Sequence, residues 1–470
     1  MDEAAALAKS TRGAMVAAAG CGKTHIIAKA VAEHSRGKDL VLTHTHAGVE
    51  AIRRRLAKIC VTPTAAQVDT IAGWALRLAA AFPSTSELPN VKPRNSAEYS
   101  TVYVAASQLL GLRPIQEIIR ASYSGVYVDE YQDCTIDQHE LVVALLDILP
   151  CRIVGDPLQG IFDFGDNKAI QWDEHVGSSF EEVPGPTTPW RWTNSNPGLG
   201  AWLIDVRKKL AAGQGVNLQG TPVRWLDGSD PKWRRSRQLA ACFAAAGNDG
   251  ESVIAIHKWS HQCHAVASRL KGAFSCVEAI DTKDLYDFAD LIDTKNGFAR
   301  AVAVLDFAAK CMTKVKTELR TIREALDKSR VPAVRRYTAQ LNALLVVRDD
   351  DSLAGVRLAL QAIRQVPGTV VYRRELLHEM ERAVVAVLSG EAGGLTDAAW
   401  LVRNRSRKLG RLLSRCAVGT TLLVKGLEFD HVVLLDADAH DAKNLYVALT
   451  RASKSLTIVS GSQLIVPHSN

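Results

Sequence analysis

Three short strings in this sequence bring together residue types that could hydrolyse a nucleoside triphosphate. Ala17-Ala18-Ala19-Gly20-Cys21-Gly22-Lys23-Thr24 combines two glycines with a lysine and a hydroxyl. The glycines let backbone N–H groups approach phosphate oxygens, Lys23 can reach the β- and γ-phosphates, and the Thr24 hydroxyl can ligate Mg²⁺. Asp129-Glu130 supplies two adjacent carboxylates. Asp129 would hold the metal, and Glu130 would orient and deprotonate the attacking water. Further along, Gln159 is a neutral amide able to sense a γ-phosphate, and two aromatics, Phe162 and Phe164, follow it. Their flat faces could stack on bases, at about 1–3 kcal/mol per base, or pack in a core; spacing leaves both readings open. An acidic pair after a strand is more often a helix cap, and an Ala/Gly turn can be only a turn. Their occurrence together reverses those odds.

Such chemistry needs a scaffold that places loops at strand ends. Residues 14–19, 40–43, 125–128 and 151–154 are short apolar runs, each feeding a turn or a helical pattern, which predicts a parallel α/β sheet. The Pro/Gly/Thr-rich stretch 183–189 reads as a linker, and a second α/β pattern begins with strands at 222–226 and 252–256. A mostly helical block interrupts it before strand patterns resume at 420–424, 431–435 and 456–459. The expected organisation is a first lobe over 1–186 with a small insertion at about 80–122, then a second lobe over 187–270 and 417–470. A helical subdomain over 271–416 is inserted in that second lobe.

With 470 residues and 47% apolar content the chain can bury more than one core. Lys and Arg number 57 against 50 Asp and Glu, and the net charge of +7 suits a polyanionic partner without demanding one. Nine cysteines form no C-x-x-C pair and no Cys/His cluster at zinc spacing, so a reduced cytoplasmic protein without structural metal is expected. The apolar run 14–20 before Cys21 imitates a short export signal, but Asp2 and Glu3 make its flank acidic and the run is short. No stretch approaches the roughly 18 apolar residues of a membrane span, so no membrane partner is expected. Arg403, Arg407, Arg411 and Arg415 fall at i, i+4 spacing, with Arg405 and Lys408 beside them. Like charges so spaced repel, and either a phosphate backbone or nearby acids would relieve them. Lys232-Trp233-Arg234-Arg235-Ser236-Arg237 suits nucleic acid or a surface turn equally.

In this order the strings resemble the UvrD/Rep branch of superfamily 1 DNA helicases, and further segments extend the resemblance. Thr43-His44-Thr45-His46-Ala47 and Val68 to Ala75 resemble DNA-gripping motifs, which would make His44, Thr45, Thr70 and Trp74 DNA contacts beside Phe162 and Phe164. Pro189-Trp190-Arg191-Trp192 and Leu445 to Ala452 resemble the motifs that bring Arg191 and Arg451 to the γ-phosphate. Lys425-Gly426-Leu427-Glu428-Phe429-Asp430 is similar to the segment whose glutamate binds the nucleotide sugar, here Glu428. Ala19 to His25 would cradle the phosphates of ATP, with Mg²⁺ on Thr24 and Asp129. The resemblance implies two RecA-like phosphate-loop lobes and an ATP-driven motor on single-stranded DNA, moving 3′-to-5′ and unwinding duplex from its ends. Both arginines lie beyond the first lobe and would reach a γ-phosphate only when the lobes close, coupling closure to ATP; a structural ion pair is the alternative for each.

The chain also departs from that pattern. Residues 1–13 contain no Gln to read adenine, His44 stands where the family usually has Phe, Ala72 where it has His, and Gly165 where an Arg follows the second aromatic. Small insertions and altered DNA contacts also fit a DNA-stimulated ATPase subunit that senses ends and regulates a nuclease partner in repair or antiviral defence. The compact size is compatible with the helicase component of Gabija-type phage-defence systems. An RNA substrate is a weaker option.

Overall fold

Strands covered on both faces need apolar residues at every position rather than at alternate ones. The first lobe shows this in the computed structural model, which describes residues 2–468 except 89–92, 94–95, 163–167, 248–249, 280–282, 328–335, 351–352 and 410–412, and omits the side chains of 406–409. Its strands are β1 (Arg12–Val16), β2 (Asp39–Thr43), β3 (Ala66–Thr70), β4 (Gly125–Val128), β5 (Cys151–Gly155) and β6 (Glu181–Val183). They form one parallel sheet in the order β3-β2-β4-β5-β1-β6. β2, β4 and β5 are buried along their whole length. Met15, Ile27, Val41 and Tyr127 build the core on one face, and Leu40, Trp74, Leu141 and Ile153 the core on the other.

Two strands were not legible as apolar runs, β3 and β6, and both are the edges of this sheet, where polar residues such as Gln67, Glu181 and Glu182 reach water. β1 also ends earlier than expected. Ala17 N–H donates to Gly155 O, after which the chain turns away through Gly20 and Gly22 at φ +71° and +89°. Between β3 and β4, helices Ser96–Leu110 and Arg113–Ser122 occupy the expected small insertion.

The second lobe opens with β7 (Val216–Asn217), which pairs antiparallel with β14 (Leu464–Ile465) outside the main sheet. That sheet is again parallel, in the order β10-β11-β9-β12-β13-β8. Its strands are β8 (Arg224–Asp227), β9 (Val253–Ile256), β10 (Ser275–Cys276), β11 (Cys416–Gly419), β12 (Phe429–Leu434) and β13 (Ala452–Ser460). The strand expected at 420–424 is corrected: pairing with β9 stops at Gly419, and Thr421–Val424 is a helical turn in which Val424 N–H donates to Thr420 O. β10 also falls inside the block expected to be helical, because it pairs with β11 as the edge of the sheet.

Helices from Lys283–Thr294 to Leu395–Leu409 enclose a core of their own, including Leu285, Phe307, Leu344, Leu360 and Met380. Arg373 ties this block to the lobe by holding both carboxylate oxygens of Glu278, at 2.7 and 2.6 Å, and Asp284 at 2.6 Å. Of the two readings open for the arginine stripe, balance by nearby acids describes its first member: Arg403 is buried in an ion pair with Glu379 at 2.7 Å, and beside it Arg405 pairs with Glu391. The Arg407 side chain and Arg411 lie outside the described residues. Among the described residues no helix is long and apolar enough to cross a membrane.

Candidate active site

The phosphate loop sits between the C-terminal end of β1 and the helix Lys23–His34, whose N-terminus has no side-chain cap. A helix end with unpaired N–H groups and glycines in the left-handed region is a ready cradle for an anion. Lys23 is buried and its Nζ folds back on Ala17 O at 3.1 Å, while Thr24 Oγ1 donates to Asp129 Oδ2 at 2.9 Å. One strand, β5, separates β1 from β4, and this hydroxyl–carboxylate contact spans it. Thr24 and Asp129 thus already face each other as two oxygen donors, the hard ligands Mg²⁺ prefers.

Glu130 follows at φ +54°, a left-handed conformation that costs a non-glycine residue energy and that tends to persist at functional sites. Its N–H donates to Asp129 Oδ1 at 2.9 Å and its Oε2 accepts from Gln132 Nε2 at 2.5 Å. Burial alone would raise Glu130, but Lys23, the Gln132 hydrogen bond and Lys425 outweigh it and hold the carboxyl below its usual range. Asp129 goes the other way, pushed up to about 6 by burial and then by Glu130. Two neighbouring carboxyls driven apart in this way keep Glu130 ionised, as a base must be. Gln132 Oε1 also accepts the Asp156 N–H at 2.9 Å, tying this loop to the end of β5.

The second lobe closes directly on this surface. Arg451 is fully buried: Nε donates to Val447 O at 2.9 Å, and one Nη lies 3.4 Å from Gln159 Oε1, across the lobe boundary. Burial, then the neighbouring Arg191, pushes Arg451 down to about 10. Arg191 donates to Thr450 O at 2.7 Å and to Glu428 Oε1 at 2.5 Å, and its backbone N–H to Gly20 O at 3.1 Å. Its Nε is buried without a hydrogen-bond partner, an orphan donor beside the phosphate loop. The glycine cradle, the facing Thr24 and Asp129 and this orphan donor together fit a nucleoside triphosphate with its divalent cation. Cys21 is buried in the loop, and His25 is exposed on the first turn of the helix.

The expected DNA contacts are distributed differently. Trp74 is only 4% exposed in the first lobe's core, which leaves no ring face for a base and withdraws it from that set. Thr45 and Thr70 cap helices, their Oγ1 atoms accepting from Gly48 N at 3.0 Å and Gly73 N at 2.9 Å. His44 points inward, its Nε2 3.5 Å from Cys134 Sγ; burial and Lys425 push it down to about 4. Phe162 is half-buried with the Lys425 ammonium 4.7 Å from its ring centre, and Phe164 lies outside the described residues.

Several residues of this cleft escaped sequence reasoning. Lys425 crosses the boundary to bind Asp133 and Gln159 O. Burial raises Asp133 and lowers Lys425, so each charge depends on the other. Arg207 holds Asp156 at 2.8 Å, and Tyr446 Oη accepts the Ala19 N–H at 3.1 Å. Trp192 packs so closely on Gly20 that a Cβ there would lie 2.5 Å from the ring. Trp190 stands 62% exposed next to Gly22, a flat face at the mouth of the loop. The aromatic-Arg-aromatic string around Arg191 was the available signal; only the arginine was read from it.

Residues 85–171 match the family model of the UvrD/REP helicase N-terminal domain, and residues 416–459 that of the UvrD-like helicase C-terminal domain. No curated protein matches the chain. Among solved structures, the complex of Arterivirus nonstructural protein 10 (helicase) with DNA aligns at 10% identity and a TM-score of 0.36. That alignment covers 97% of this chain and 62% of the other. The two domain matches flank the cleft in which Lys23, Glu130, Gln159, Arg191 and Arg451 meet, and the chain belongs to the UvrD/Rep-like superfamily 1 helicases.

Proposed function

We propose that this chain is an ATP-driven motor that translocates on single-stranded DNA, 3′-to-5′, and separates duplex. One observation carries the reading: Arg451, from the second lobe, reaches Gln159 of the first, within electrostatic range of Glu130. Glu130 takes the proton of the attacking water, Lys23 and the backbone of Ala19 to His25 bind the phosphates, and Thr24 and Asp129 hold Mg²⁺. Held by Thr24 and Asp129, Mg²⁺ would supply charge neutralisation at the phosphate oxygens. Arg191 and Arg451 add positive charge only in the closed arrangement, so hydrolysis removes the anion that favours closure. Arg191 holds Oε1 of Glu428, which leaves Oε2 of that exposed carboxylate to accept a sugar hydroxyl. Trp190 offers its face to the base.

A second reading has its own support. Burial of Trp74 and the capping roles of Thr45 and Thr70 thin the expected DNA contacts, which favours an ATPase that responds to DNA ends without pulling strands apart. ATPase and strand-separation assays with 3′-tailed, 5′-tailed and blunt DNA and with RNA decide between them. The motor reading expects DNA-stimulated turnover and separation of 3′-tailed duplex. Turnover on ends without separation selects the sensor, and no stimulation by any nucleic acid overturns both.

A further inference from the structure

The joint between the second lobe and the helical subdomain carries side chains that the hydrolysis site does not use. Residues two apart on an extended chain face the same side, so Cys276 at the end of β10 and Glu278 just beyond it lie together. The helix Ser260–Arg269 packs against β10 and brings His264 to them. One donor atom from each of the three lies within 4.8 Å of the other two, and among the described residues no other His, Cys, Asp or Glu side chains converge in this way.

His264 Nε2 stands 3.8 Å from Glu278 Oε1, too far for a hydrogen bond. Two donors bound to one ion at about 2.0–2.1 Å in a tetrahedral shell stand about 3.4 Å apart, so an ion between these two needs only a small approach. Cys276 is buried and Glu278 is 2% exposed, whereas the His264 side chain is 28% exposed and opens the site to solvent. Arg373 grips the same carboxylate, its Nε donating to Oε1 at 2.7 Å and one Nη to Oε2 at 2.6 Å. A carboxylate has about four lone-pair sites, so a guanidinium fork and a metal ion can share it. Such a fork fixes the direction of the carboxylate, as outer partners of metal-binding groups do.

The donor types select the ion. An imidazole nitrogen, a thiol sulfur and a carboxylate oxygen suit Zn²⁺, whereas Mg²⁺ takes oxygen donors. We propose that His264, Cys276 and Glu278 bind Zn²⁺, with water as the fourth ligand, and that the ion pins the helical subdomain to the second lobe. On binding, the Cys276 thiol gives its proton to solvent and ligates as thiolate. Cys276 N–H donates to Tyr372 O at 2.8 Å and Glu278 N–H to Glu375 Oε2 at 3.2 Å, so two of the ligands are already fastened to the subdomain while His264 comes from the lobe. The sequence conceals the set, because a helix supplies one ligand, the next strand supplies the other two, and no C-x-x-C spacing marks them.

Metal binding to the full chain tests this apart from turnover. Metal-free protein is titrated with Zn²⁺ in excess Mg²⁺, which keeps the oxygen donors Thr24 and Asp129 supplied, and with Co²⁺ as an optical probe of sulfur ligation. The wild type should take up a single Zn²⁺, show a thiolate-to-cobalt charge-transfer band, and melt at a higher Tm with Zn²⁺ than without. Loss of an outer partner lowers metal affinity roughly 10- to 100-fold, so loss of a ligand in Cys276→Ser or His264→Ala should lower it by about a hundredfold and remove the rise in Tm. Cys276→Ser should also lose the band, and Cys60→Ser, at an exposed cysteine, should keep it. ATPase rates in Mg²⁺ alone stay at the wild-type value in His264→Ala. Should Cys276→Ser fail to fold, His264→Ala, at a partly exposed position, reads the same loss of affinity. Absence of the band in the wild type, or Zn²⁺ affinity unchanged in His264→Ala, overturns the proposal.

Discussion

The two lobes share a six-stranded parallel sheet, yet they turn opposite edges toward the cleft. In the first lobe the working residues follow strands: the phosphate loop after β1, Asp129 and Glu130 after β4, Gln159 after β5. In the second they precede strands, with Glu428 just before β12 and Arg451 just before β13. The familiar rule that ligands gather at the carboxyl ends of parallel strands therefore describes one lobe and fails for the other at this cleft. In the second lobe the residues just before the strands, Glu428 and Arg451, are the ones that meet the first lobe's loops. Chemistry divides the same way. The first lobe brings Asp129, Glu130 and the phosphate cradle with Lys23, and the second brings Arg191 and Arg451, which complete the site from outside, with Glu428 beside them.

The largest expected effect breaks the first lobe's share. Glu130→Gln keeps shape and hydrogen bonding to Gln132 but cannot take a proton from water, so turnover should drop by roughly 10² to 10⁴ while ATP binding persists. Lys23→Ala should abolish turnover by removing charge from the phosphoryl group in flight. Steady-state ATPase assays paired with equilibrium ATP binding check both, and near-normal turnover in either variant would remove the first lobe from the chemistry.

Next in size comes the second lobe's share. Arg451→Ala should cut the DNA-stimulated rate by about 10³ if it behaves as other arginine fingers do, and Arg451→Lys should recover little because a point charge lacks the planar fork. Arg191→Ala should show a similar loss. Both arginines contact Thr450, so the double variant should lose less than the product of the singles. Stopped-flow turnover at saturating single-stranded DNA reads all of these. A normal rate for Arg451→Ala would leave the first lobe acting alone.

How much of this was legible beforehand follows the same asymmetry. Lys23, Thr24, Asp129 and Glu130 stand out because phosphate chemistry constrains both residue type and spacing over a few residues of one strand end. Arg191 and Arg451 were legible only through resemblance, since nothing local distinguishes them from structural arginines. Lys425, Arg207 and Tyr446 were missed because their partners Asp133, Asp156 and Ala19 lie far away in sequence. Polarity hid the edge strands β3 and β6, and the paired threonines at 420–421 suggested a strand where the chain makes a helical turn. Trp74 shows the reverse error: a motif position suggested a DNA contact, while an apolar helical face including Ile71 and Ala75 buries its indole.

The smallest predicted effect falls where the two lobes meet, at Trp190. Its indole lies beside Gly22 and is mostly exposed, so it forms no part of either core and can be removed without leaving a cavity. A base stacked on it gains about 1–3 kcal/mol, and such stacking tolerates any base. Trp190→Ala should therefore raise the KM for ATP about tenfold with kcat nearly unchanged, because the base lies away from the bond that breaks and its binding is equal in ground and transition states. Because such stacking does not depend on base identity, Trp190→Ala should raise the KM values for ATP, GTP and CTP together. Steady-state kinetics with the three nucleotides at saturating DNA give the answer. A fall in kcat instead would place Trp190 with the arginines that complete the closed state, and a loss confined to ATP would mean that the cleft reads the adenine edge through a group other than this flat face.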